Sequence, residues 1–248
     1  MPLFYDNMGL SNKEIRIFSA AITAAGMVTG LLFYNSPAAG FLIVLALTAL
    51  FPTYKKRTAE RKKAELLLQF RDMLYSISAS VSLGRSMAQA LEESITFWDA
   101  TYKESDYIMQ ELKYMTGRIK NSNERDVEVL KDFAVRSGLA DISDFVSVYE
   151  SCRNTGGNLV QAINRATVII GDKISLEKEL RTLMAQKIYE SRIVAGAPFA
   201  LMLLLRVLSP EYLEPMFTTL QGRVITTFAL GLMVAALIMM ERINNIEI

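Results

Sequence analysis

Residues 17–33, IFSAAITAAGMVTGLLF, carry no charged side chain, and no other stretch narrows the possible folds as far. As a helix rising about 1.5 Å per residue, the run reaches about 25 Å, close to the roughly 30 Å hydrocarbon thickness of a bilayer. Further uncharged or nearly uncharged runs follow at 38–51, 193–208 and 224–240. Charge is gathered between them. Of 27 Lys and Arg, 22 fall within residues 52–192, as do 20 of the 26 Asp and Glu. The ends suit lipid and the middle suits water, so the expectation is an all-α polytopic membrane protein. Its segments are a cytoplasmic N-terminus at 1–16, a transmembrane hairpin at 17–54, a cytoplasmic helical domain at 55–192, a second hairpin at 193–240 and a cytoplasmic tail at 241–248.

The apolar segments differ in strength. Residues 38–51 span only if their helix continues to about Tyr54 with Pro52 near its end; a re-entrant hairpin is the other outcome. Gly26 and Gly30 stand at the G-x-x-x-G spacing that lets helices approach closely in lipid, and ordinary glycine content of a span accounts for them equally well. Pro198 can kink the third run, and Arg206 is near enough to its end to snorkel. Residues 209–221, with Pro210 and Pro215, read as a loop. The first run lies close behind a segment with acids as well as bases and is soon followed by another, which favours an anchor over a cleaved signal peptide.

Residues Lys55, Lys56, Arg57, Arg61, Lys62 and Lys63 form a basic collar interrupted only by Glu60 among acids. The excess of positive charge beside a span places it on the cytoplasmic side, where it either touches anionic lipid or serves only as a topology signal. Four spans then leave both termini inside and the loops 35–37 and 209–221 outside.

The water-like middle contains no proline after the collar and repeats apolar residues at three and four positions, as in Leu66, Phe70, Met73, Leu74, Ile77 and Val81. That stripe predicts an amphipathic helix. Helices are expected near 58–83, 86–101, 104–120, 123–137, 141–154 and 158–192, enough for a six-helix bundle. Asp141, Ser143 and Asp144 offer N-caps for the fifth. The sixth meets no breaker before the third apolar run, so it is expected to continue into the membrane.

The chain also echoes itself. Residues 72–91, DMLYSISASVSLGRSMAQAL, recur seventy-two positions later as DFVSVYESCRNTGGNLVQAI. Gly84 and Gly156 suit the left-handed position that closes a helix. Ser86 with Gln89, and Asn158 with Gln161, have the spacing of a capping box that opens the next. Two pseudo-repeated helix-turn-helix units follow, with Gly84, Ser86, Gln89, Gly156, Gly157, Asn158 and Gln161 setting the angles between helices.

Several chemistries lack their residues. The chain has no histidine and one cysteine, Cys152, read as a small buried filler; this removes the commonest general base and any thiolate cluster for zinc. No G-x-x-x-x-G-K-[ST] loop occurs. Glu92 with Glu93, and Glu177 with Glu179, read as solvated faces. A net charge of +1 gives no reason to expect nucleic acid.

FRDMLYSISASVSLGRSMAQALEES is similar to the F-x-x-x-L-x-x-x-L-x-x-G-x-S-x-x-x-A-L pattern of the type II secretion F-domain family, with Leu74 at one apolar position and Ser78 or Val81 at the next. NTGGNLVQAINRA resembles that family's G-G-N-L turn. The ending LSPEYLEPMFTTLQGR, with the last apolar run and ERINNIEI, is most similar to members from tight-adherence (Flp) pilus systems. The resemblance implies a non-enzymatic inner-membrane platform of a type IV pilus or type II secretion-like machine. It further implies a cytoplasmic secretion ATPase, prepilin or pilin subunits and a TadC-like paralogue as partners, in a homo- or hetero-oligomer, with no cofactor and no catalytic residues. If the ATPase meets the surface farthest from the collar, Glu124, Arg125, Asp126 and Lys131 are its first candidates. The competing reading is a small-molecule or peptide transporter, for which the spans hold almost no polar lining.

Overall fold

The computed structural model describes residues 12–48 and 51–244. Most of the expected segment 1–16 and residues 245–248 of the tail therefore lie outside the described residues. Ten helices account for what is described, with no strand among them: α1 Asn12–Tyr34, α2 Pro37–Leu47, α3 Phe51–Ser82, α4 Met87–Trp98, α5 Tyr107–Ser122, α6 Asp126–Ser137, α7 Ala140–Thr155, α8 Leu159–Leu208, α9 Pro210–Thr218 and α10 Leu220–Asn244. Two of them, Lys13–Tyr34 in α1 and all of α8, are long and apolar enough to cross a membrane. A third candidate arises only if α9 and α10 count together across their 97° bend.

The chain divides into two units. One is built on Lys55–Leu176 and the other on the described parts of Leu10–Tyr54 and Glu177–Ile248.

In the first unit, α3 to α7 and the start of α8 surround one apolar core. Leu66, Phe70, Met73, Leu74 and Ile77 are the buried stripe of α3, while Val81 is only partly covered. They meet Leu91 of α4, Leu112 of α5, Phe133 of α6, Phe145 and Tyr149 of α7 and Ile163, Ile170 and Ile174 of α8. Burying such a side chain contributes about 1.5–3 kcal/mol, so amphipathic spacing is enough to draw these helices together. Polar seams fix their register. Gln69 Oε1 accepts from the Ile108 N–H at 3.0 Å, Ser76 Oγ donates to Ser94 Oγ at 2.7 Å, and Ser78 Oγ donates to Asn164 Oδ1 at 2.5 Å.

Several boundaries differ from expectation. α3 begins at Phe51, because Pro52 sits in the first turn, where a missing N–H is harmless. The fifth helix of the middle is capped at Leu139 and not within 141–144; the Leu139 N–H is instead met by Ser137 Oγ at 3.2 Å. The expected loop at 209–221 is largely the helix α9. Pro210 stands at its start, and Leu213 turns inward beside Met216 and Phe217. Apolar spacing of three and four there outweighs the turn signal of two prolines.

In the second unit, α2 ends at Leu47 and so is too short to span alone. Its pairing with α1 continues beyond it, however. A Cβ on Gly30 would fall 2.3 Å from Gly40 Cα, and one on Gly26 would fall 2.5 Å from Val44 Cγ2. Nearer its start, α1 places Phe18 against Phe51 and Tyr54, with ring centroids 5.8 and 4.3 Å apart. The returning chain, α2 and then the first turn of α3, thus retraces α1 in an antiparallel register. Gly26 and Gly30 form the close-approach face, with Gly40 as their counterpart. Asn35, at φ 47°, turns the corner, and Ser36 and Pro37 open α2.

Arg206 does not reach away from the protein. Its guanidinium donates to the Leu31 carbonyl and to Asn35 Oδ1, and lies 6.0 Å from the Phe217 ring centre. It pins the α1–α2 corner to α8 and α9. Beside it, Phe33 meets Phe199 edge-on at 5.7 Å, and Tyr34 Oη bonds Thr227 Oγ1 at 2.9 Å.

Candidate functional site

The two turns of the repeat share a geometry that comes from their glycines. Gly84 and Gly156 adopt φ of 82° and 72°, a region that side chains disfavour. The Arg85 N–H donates to the Ser80 carbonyl at 3.2 Å, and the Gly157 N–H donates to the Cys152 carbonyl at 2.9 Å. These bonds are seventy-two residues apart at both ends, and each satisfies a carbonyl that the helix end leaves open. At the first turn, Ser86 Oγ accepts from the Gln89 N–H at 3.3 Å and Gln89 Oε1 from the Ser86 N–H at 3.1 Å. At the second, Asn158 Oδ1 accepts from the Gln161 N–H at 3.0 Å, and the side chain of Gln161 makes no return bond. The echo fails at its aspartates. Asp72 is largely covered and accepts from Tyr102 Oη at 2.5 Å and from Arg71, whereas Asp144 is exposed. Cys152 is half-buried, against Gly157.

The collar occupies the solvent-facing start of α3. Lys55, Lys56 and Arg61 are exposed, Lys62 and Lys63 half-buried, and the side chain of Arg57 lies outside the described residues. Lys56 pairs with Glu60 at 3.7 Å.

The four candidate contact residues lie where α5 turns into α6, in three different settings. Arg125 is 77% exposed and pairs with Glu128, one turn along. Lys131 reaches Glu150 of α7 at 2.6 Å with half of its side chain exposed. Glu124 is committed to Arg118. Asp126 is buried and accepts from Tyr149 Oη at 2.6 Å and from Arg153. Arg125 and Lys131 can therefore offer charge to a partner, while Asp126 supports the helix pair beneath them.

Behind that corner lies a network of which the sequence shows a single pair. Arg136 and Glu111, both 2% exposed, form a two-pronged ion pair at 2.6 and 2.7 Å. Arg136 also donates to Asp132 at 2.8 Å; Asp132 accepts from Arg118 at 2.7 Å. Tyr114 lies under both guanidinium groups, 5.0 Å from Arg136 and 5.5 Å from Arg118. Burial works to lower the Arg136 pKa, but the hydrogen bonds to Glu111 and Asp132 outweigh it and hold the guanidinium charged. Only Asp132 and Arg136, four apart on one helix, could have been suspected beforehand. Twenty-five residues separate Glu111 from its partner.

Two tyrosines are shifted in one direction. Burial, followed by hydrogen bonding to a carboxylate, raises Tyr102 beside Asp72 and Tyr149 beside Asp126 above the usual 10.0. The unfolded chain loses these protons first. Their contribution to stability is thus complete below pH 10 or so and falls away as pH rises through the higher folded values. Melting of the full-length protein is expected to drop more steeply above pH 10 than melting of a Tyr102→Phe/Tyr149→Phe variant. Equal slopes would assign the alkaline loss to other groups.

Comparison with known protein families, curated proteins and solved structures finds no match for the chain. What its own fold establishes is the class: the described residues are helical with no strand among them, and two of their helices are long and apolar enough to span a membrane.

Proposed function

We propose that the chain is a TadB-like, non-enzymatic platform of a tight-adherence (Flp) pilus or related secretion machine, in which the helical unit on Lys55–Leu176 takes up the motion of a cytoplasmic ATPase and the apolar helices pass it to pilin subunits. The observation that carries the reading is α8. It is a single helix of 50 residues, about 75 Å long at 1.5 Å per residue. Its first half supplies Ile163, Ile170 and Ile174 to one core, and its second half supplies Phe199, Met202 and Leu205 to the other. A helix is a stiffer connection than a flexible linker, so in this reading motion is passed along α8, with Pro198 in its second half the position at which it can kink.

In this reading the protein sits in the bacterial inner membrane with the collar and both termini in the cytoplasm. The six helices of the middle form a bundle whose two repeated turns set the direction of α8, and the apolar ends act as hairpins. The retracing of α1 by α2 and the first turn of α3 supports a paired first hairpin. Arg125 and Lys131 are the ATPase-facing charges, and a TadC-like paralogue completes the assembly.

Reversing both charges, Arg125→Glu with Lys131→Glu, is expected to reduce copurification of a co-expressed cytoplasmic secretion ATPase by about tenfold or more while the protein stays folded and membrane-bound. Unchanged copurification would remove the site. The platform reading itself fails if the purified protein moves solutes across liposomes without an ATPase.

A further inference from the structure

An open groove runs along α10, lined by Arg223, Val224, Thr227, Phe228, Gly231 and Leu232. Val224, Phe228 and Leu232 are exposed. Gly231 leaves a notch beside them, with nothing within 4 Å of the place a Cβ would take. Thr227 brings no free polar group to the wall, because its Oγ1 donates to the Arg223 carbonyl at 2.8 Å and is also bonded to Tyr34 Oη at 2.9 Å. The wall is therefore hydrocarbon except at Arg223. Arg223 Nε donates to the Phe217 carbonyl at 2.9 Å, which fixes the guanidinium at the bend between α9 and α10. The residue is exposed, and its two terminal nitrogens have no partner among the described residues. Glu211 and Glu214 of the adjoining α9 make no ion pair with it.

From Arg223 to Leu232 the helix rises about 14 Å at about 1.5 Å per residue, close to one leaflet of a hydrocarbon layer roughly 30 Å thick. The Arg223 end is also the level at which the chain turns. There α1 ends at Tyr34, Arg206 near the end of α8 meets Asn35, and α9 meets α10 at 97°. Tyrosine settles at the head-group level of a bilayer, and Tyr34 is bonded to Thr227 just below Arg223. A molecule with an anionic group at one end and a hydrocarbon chain one leaflet long matches this order of charge and length. We propose that the groove binds a phospholipid, with its phosphate held by Nη1 and Nη2 of Arg223 and one acyl chain lying along Val224, Phe228 and Leu232 past the notch at Gly231. A guanidinium suits phosphate because its parallel N–H groups can meet two oxygens at once. The site requires only that α10 lies in a bilayer. It does not depend on a platform role, so either idea can fail alone.

The test uses the full-length protein in bilayers carrying phosphatidylglycerol or diacylglycerol with the same photoactivatable acyl chain. Crosslinked peptides are then mapped. Phosphatidylglycerol is expected to label the peptide containing Phe228 and Leu232 in excess over diacylglycerol, which has the chains and lacks the phosphate. Arg223→Gln is expected to cut that excess about fivefold, the effect of one cation at a bilayer surface. Gly231→Phe, whose ring fills the notch, is expected to remove the excess and leave labelling of α1 at its wild-type level. Circular dichroism and melting establish that each variant is folded; if Arg223→Gln is not, Gly231→Phe decides alone, since its added atoms start in open space. Equal labelling by the two lipids, or an excess that survives either folded variant, overturns the proposal.

Discussion

Replacing Arg136 by methionine is expected to destabilise the Lys55–Leu176 unit by about 3–5 kcal/mol, the cost of leaving one partner of a buried ion pair uncompensated. Glu111 would remain 2% exposed with both carboxylate oxygens stripped of their guanidinium donors. Asp132 would keep only Arg118. Removing both charges is a different perturbation. Arg136→Met with Glu111→Leu replaces the pair by apolar side chains of similar size and is expected to recover most of the loss, since well-packed apolar replacements of buried ion pairs are often neutral. Hydrogen exchange in the full-length protein is the suitable measurement. Protection of the α5 and α6 amides should collapse in the single variant and return in the double. Wild-type protection in Arg136→Met alone would mean that water or a rearranged neighbour satisfies Glu111.

Gly30→Val should have a comparable effect in the other unit. A Cβ at that position would come within 2.3 Å of both Cα and N of Gly40, and backbone atoms cannot swing aside as a side-chain tip can. The helices must separate. Overpacking of this kind costs typically 1–3 kcal/mol where side chains can yield, and the upper end or beyond is expected here. Separation also breaks the α1–α2 packing that brings Asn35 to Arg206. Gly196→Ala is the internal control, because nothing lies within 4 Å of its added Cβ and alanine favours a helix over glycine by about 1 kcal/mol. A cysteine pair engineered across the α1–α2 contact should crosslink in wild type and in Gly196→Ala, and not in Gly30→Val. Crosslinking in all three would show that the glycine contact is dispensable.

These two effects mark where local pattern ends. The α3 stripe was legible because apolar residues at 66, 70, 73, 74 and 77 obey the helical period, and that period is a property of neighbouring residues. The turns at Gly84 and Gly156 were legible for a related reason, since a left-handed residue followed by a cap is written within six positions. The return bond of the second capping box was not. Asn158 and Gln161 have the required spacing, but the bond depends on where the Gln161 side chain goes. The same holds for the proline-bearing segment at 209–221, where the inward turn of Leu213 decided for a helix.

The candidate contact surface divides in the same way. Glu124, Arg125, Asp126 and Lys131 look alike in sequence as charged residues near a turn. Burial separates them, because Tyr149 and Arg153 arrive from α7 to enclose Asp126 while Arg125 faces water. No spacing rule links Asp126 to Tyr149.

By itself, the sequence determined that the described residues build helices and no strands, and that uncharged runs lie on both sides of a charged middle. Helical periodicity and the loss of charge over about a bilayer's thickness are carried by adjacent residues and need no partner. Only the tertiary structure decided that Glu111 meets Arg136, that Gly30 meets Gly40 and that Arg206 turns inward to Asn35. Each of those joins distant parts of the chain, and which pairs form is fixed by how whole helices pack.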